Sequence, residues 1–228
     1  MREGYDVSPF NAIPSVVLVP LLPILAIEIV LSLGDIGVAG GAAGIGWRQE
    51  VLTRFALNPA VLSDMIESGR WNMDYAVRFV TYTFVHGSFL HAIMVSVFTL
   101  ALGKFVAEIF RPWAFLLIFL LSGISGAVVY AALPGQTVWL YGGYPAAYGL
   151  IGAFTFIVWA RLGLVHANRN RAFAMVGILL GFQIVLWAIL GGSLSWVADL
   201  GGFLAGFLVS FVVVPGGPSH ILSRLRSR

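Results

Sequence analysis

The 228-residue chain contains no cysteine, which excludes a disulfide scaffold and leaves its redox compartment unreadable. Charge is scarce too: 13 Lys+Arg and 10 Asp+Glu make up 10% of the residues, where a soluble domain carries about 25%. A soluble globular domain is therefore excluded, and a formal net charge of +3 is too small for a nucleic-acid partner. The 27 glycines follow no three-residue period, so a collagen-like repeat fails as well. What remains is apolar. Hydrophobic residues make up 59% of the chain, and the mean hydropathy is +0.94, which excludes disorder and points to the lipid bilayer. A spanning helix needs about 20 apolar residues, so six spans use roughly half the chain and leave room for one sizeable loop.

Six runs fit: 13–33, 82–106, 113–133, 146–162, 172–190 and 196–214. The first contains Pro14, Pro20 and Pro23, is too long for a signal-peptide core, and is followed by no small-residue cleavage site, so it reads as an uncleaved span. Lys104 and Arg111 flank the turn between the second and third runs. Arg161, Arg169 and Arg171 lie between the fourth and fifth, and Arg224, Arg226 and Arg228 in the tail. The other two short turns carry neither Lys nor Arg. With Arg2 added, the positive-inside rule predicts cytoplasmic N and C termini.

Residues 35–80 then form a long external loop too apolar for a free linker. Val51, Leu52 and Phe55, then Val61, Leu62, Met65 and Ile66, recur at helical spacing opposite Arg48, Glu50, Arg54, Asp64 and Glu67. Two short interfacial helices are expected, the second capped by Asn58 and opened by Pro59. A small external subdomain that never touches lipid fits the pattern equally well.

Three segments carry a family resemblance. Residues 78–91 (RFVTYTFVHGSFLH) resemble the start of the second helix of rhomboid intramembrane serine proteases. Residues 142–154 (GGYPAAYGLIGAF) look like the family's G-x-S-G segment opening the fourth helix, and residues 197–206 (VADLGGFLAG) like its sixth-helix A-H-x-x-G-x-x-x-G segment. The fold this implies is an all-α, six-transmembrane-helix rhomboid-like bundle. It is divided into a cytoplasmic segment 1–12, a membrane domain 13–214 with the resemblance over 78–210, and a basic tail 215–228.

The resemblance also implies a serine nucleophile on the fourth helix, a histidine base on the sixth, and a histidine and an asparagine on the second that help bind the oxyanion. Tyr144 stands at the serine position, Pro145 at the following glycine, Asp199 at the base and Val95 at the asparagine; only His91, with His86 before it, remains. A nucleophilic serine must pass its proton to a base within hydrogen-bond reach. A phenol ionising at about 10 and a carboxylate at about 4 are poor substitutes, and loss of either dyad member removes several powers of ten in rate. A literal G-x-S-G at 123–126 lies inside a span with no histidine on the fifth or sixth helix to serve it, so Ser125 reads as a packing residue.

Tyr144 and Asp199 are expected to face each other, the phenol donating to the carboxylate; alternatively Asp199 complements the positive end of its own helix. Pro145, Gly149 and Ala153 on the fourth helix, and Ala198, Gly202 and Gly206 on the sixth, recur every four residues. They form small-residue stripes expected to pack against each other, although each could pack elsewhere. Glu28, the only acid in its span, implies a proton path or, as the plainer reading, a structural pair or a side chain snorkelling to the surface. His86 and His91 are not spaced for one helical face, so no metal site and no cofactor are expected. Three functions follow: an inactive rhomboid-like protein binding transmembrane segments of client proteins, an active serine endopeptidase, or a subunit of a membrane complex. The expected setting is a bacterial inner (plasma) membrane.

Overall fold

A computed structural model describes residues 13–70 and 72–215. The segment 1–12 and nearly all of the basic tail, with their arginines, lie outside the described residues. Ten α helices occur among the described residues, with no strand. They are α1 Leu18–Asp35, α2 Trp47–Phe55, α3 Pro59–Ser68, α4 Met73–Ala76, α5 Arg78–Thr81, α6 Phe89–Ile109, α7 Pro112–Ala131, α8 Tyr144–Leu164, α9 Ala174–Leu190 and α10 Ser195–Val213. With short 3₁₀ turns leading into α1 and α9, six helices are long and apolar enough to cross a bilayer: α1, α6, α7, α8, α9 and α10. The protein is an integral, multi-pass membrane protein.

Local chemistry sets the boundaries. Asn58 caps α3, its side chain accepting from the Ala60 N–H at 3.0 Å, and Pro59 fills the first position, where a missing N–H costs nothing. α7 likewise opens on Pro112. The second span begins seven residues later than the hydropathy pattern predicts. Residues 82–84 form a 3₁₀ turn, Val85 and Ser88 are extended, and the Ser88 hydroxyl accepts from the His91 N–H at 3.3 Å to start α6 at Phe89. An apolar run records burial, not backbone conformation, so it hid this break.

α8 is the central helix and α9 the peripheral one: 56% of the most apolar stretch of α8 is buried within the protein, against 6% for α9. Lipid tails are as apolar as leucine, so helices in a bilayer associate through close packing. Glycines allow that here. A Cβ on Gly206 would sit 2.0 Å from the Gly149 carbonyl oxygen, and one on Gly202 2.0 Å from the Pro145 carbonyl oxygen, so α8 and α10 touch backbone to backbone. On the other side, a Cβ on Gly126 of α7 would meet the Ala198 carbonyl oxygen at 2.7 Å. Ala153 and Ala198 are fully buried.

Two of the ties between the loop 36–88 and the rest of the protein come from α2 and its junction with α3. Leu57 and Leu140 exchange backbone hydrogen bonds of 3.0 and 2.8 Å, joining the α2–α3 junction to the α7–α8 loop. Arg48 of α2 makes the second tie, described below. The four-residue helices α4 and α5 are too short to show a sequence period.

Candidate functional site

The first turns of α6, α8 and α10 meet at the loop end of the bundle, with α9 closing one side. Between them lies a cavity of about 660 Å³ lined by His91, Tyr144, Pro145, Gln183, Trp187 and Asp199, among others.

Tyr144, the first residue of α8, lies with its ring stacked on His91, centroids 5.1 Å apart and planes 19° apart. His91 also meets His86 edge-on at 5.0 Å. The five-residue spacing argues against contact only for a continuous helix; His86 precedes α6, and the chain bends it back. His86 is buried, and its Nε2 accepts the Gly143 N–H at 3.2 Å, which fixes the backbone just before α8. Burial first, then the neighbouring His91, pushes the His86 imidazole down to about 3, so it stays neutral at physiological pH. Gly142 has φ +95°, and a Cβ there would lie within 2.5 Å of the His91 ring, so the turn needs glycine on both counts. Val95 is fully buried and packs with Ile24 and Ala92 against Phe84 and Tyr144. A Cβ on Gly143 would come 2.8 Å from Val95 Cγ1.

Asp199 does not bond Tyr144. The expected phenol–carboxylate contact is replaced: Tyr144 is engaged by the His91 ring, and Asp199 accepts from Gln183 Nε2 at 3.1 Å. The same amide nitrogen donates to the Tyr148 hydroxyl at 3.0 Å. Asp199 is only 5% exposed and forms no ion pair among the described residues. Gln183 is the one polar side chain in α9, and a lone amide in a spanning run signals an interhelical contact that the sequence analysis passed over.

Glu28 is paired. Arg48 from α2 grips it with two hydrogen bonds, Nη2 to Oε1 at 2.8 Å and Nη1 to Oε2 at 3.0 Å, while Ser32 adds a third at 2.8 Å. Arg48 also donates to Asp35 Oδ2 at 2.8 Å and to the His86 carbonyl at 3.0 Å. The hydrogen bond to Glu28, despite some burial, holds the guanidinium above its ordinary pKa. This structural pair links the loop, α1 and the histidine segment.

No serine hydroxyl bonds an imidazole among the described residues. His86 Nδ1 and His91 Nε2 are buried without partners, and Ser125 donates to the Gly201 carbonyl at 3.4 Å, bridging α7 to α10. No cluster of three metal-ligating side chains occurs among the described residues. The site therefore holds aromatic rings, neutral imidazole and one buried carboxylate, without a hydroxyl–base pair.

Six spanning helices, with α8 the most buried of them and a site at their loop end, define a polytopic intramembrane bundle. Residues 74–216, more than half of the chain, match the rhomboid domain, and the protein belongs to the rhomboid family. YdcA of Bacillus subtilis (strain 168), named as a candidate rhomboid protease, is 28% identical over 150 residues, covering 65% of this chain and 70% of its own length. RHOMBOID-like protein 9, chloroplastic, of Arabidopsis thaliana is 30% identical over 169 residues, covering 68% of this chain and 34% of its own.

Proposed function

We propose that this rhomboid-family protein is a pseudoprotease that binds transmembrane segments of client proteins without cleaving them, in a bacterial inner membrane with the 36–88 loop outside. The observation that carries the reading is the Tyr144 ring stacked on His91 at the position where the family resemblance calls for a nucleophile. A phenol held face to face with an imidazole cannot pass it a proton in line, and the carboxylate at the base position is occupied by an amide. Client binding is supported by α6 and α9, which both contribute to the cavity's walls, and by the outer face of α9. Ile178, Phe182, Ile189 and Leu190 on α9 face outward, so a helix arriving through lipid meets an apolar surface beside the cavity.

The test places a photo-crosslinking residue at Leu186, which lines the cavity, and reconstitutes the protein with a generic single-span substrate. Adducts with the intact substrate are expected. Cut fragments would establish an endopeptidase instead, and adducts to one stoichiometric partner chain alone would establish a complex subunit.

A further inference from the structure

We propose that the cavity selects client helices carrying a basic side chain near the end that enters it, with Asp199 as the counter-ion; the inference rests on the client-binding reading above. Asp199 is nine-tenths buried, lines the cavity, and among the described residues receives one neutral donor, Gln183 Nε2, and no cation. Arg48, which donates to the His86 carbonyl, is committed to Glu28 and Asp35. A buried carboxylate so lightly compensated is costly in a low-dielectric site, and an incoming cation offsets that cost.

The rest of the cavity suits a cation as well. Trp139, Tyr141, Tyr144, Trp187 and Trp196 line it, and the π faces of such rings attract ammonium and guanidinium groups. Gln183 Oε1 and His91 Nε2 are buried with no protein partner, and both belong to residues lining the same space. A lysine in a spanning helix is itself expensive in lipid, so pairing relieves an unfavourable charge on both partners. The indole N–H of Trp196 is also unpartnered, and as a donor it suits a client backbone carbonyl beside the basic residue.

The test uses the full chain in nanodiscs of phosphatidylcholine and two synthetic spanning helices, identical except for one lysine or leucine a turn from the loop-side end. Binding is read from quenching of cavity tryptophans. The lysine helix is expected to bind at least about tenfold more tightly than the leucine helix, with the advantage lost in Asp199→Asn and kept in Asp199→Glu. Circular dichroism and elution volume establish that both variants are folded; should Asp199→Asn fail to fold, Gln183→Glu, which adds a second carboxylate, is expected to widen the advantage. Equal binding of both helices overturns the basic-residue inference and leaves client binding standing. No binding of either helix overturns both. A quench that follows added phosphatidylethanolamine without any helix, and disappears in Asp199→Asn, assigns the site to a lipid amine and overturns the client assignment.

Discussion

Arg48 contacts Glu28, Asp35, Ser32 and the His86 carbonyl at once, so a single loop side chain holds the histidine segment against the first span. Arg48→Met strands Glu28, which is only 2% exposed, as an uncompensated buried charge. Such losses cost about 3–5 kcal/mol, and combining Arg48→Met with Glu28→Leu is expected to recover most of it, as measured by thermal unfolding in mild detergent. His86 provides a pH handle. Its imidazole titrates at about 3 in the fold and at about 6.5 in the unfolded chain, so the unfolded state takes up the proton first as pH falls. Its contribution to stability is complete above pH ~6.5 and is lost as pH drops toward the folded value. His86→Gln, which keeps an acceptor for the Gly143 N–H, is expected to flatten the stability profile between about pH 6.5 and 5; an unchanged slope there would contradict a neutral buried histidine. Glu28 was legible as an anomaly from its isolation in an apolar run, but its partner was not, because 20 residues and a turn of unpredictable course separate the two.

At the scale of helices, contact between α8 and α10 depends on glycines whose missing side chains are replaced by backbone. Gly206→Ala would drive a Cβ to 2.0 Å from the Gly149 oxygen, which cannot move away like a side chain. It is expected to lower stability by about 1–3 kcal/mol. Gly181→Ala, on the peripheral α9 with nothing within 4 Å, is expected to be neutral or to stabilise by up to about 1 kcal/mol in the same unfolding assay. The spans and their order were readable because length and apolarity alone define them. The start of α3 was equally open to reading at Asn58 and Pro59, since each acts within one turn. The start of α6 was not: Val85 is as apolar as the helix that follows, and only the extended backbone through Ser88 separates them.

For the whole molecule, the three segments that carry the rhomboid resemblance converge on one cavity although they lie at 78–91, 142–154 and 197–206. Their order along the chain revealed the family. The partner of Asp199 could not be read from those segments because it comes from a fourth, α9, whose Gln183 stands between the carboxylate and Tyr148. The Leu57–Leu140 pairing was hidden for the same reason, as two loop segments far apart in sequence meet only in the assembled fold. Retained architecture around Tyr144 and Asp199 fits the proposed loss of proteolysis: a cavity remains at the loop end of the bundle, and among the described residues no hydroxyl–base pair stands in it. The most direct test is mass spectrometry of a single-span substrate incubated with the reconstituted natural protein. The substrate is expected to stay intact; a cleavage product that co-fractionates with the purified protein would contradict the proposed inactivity.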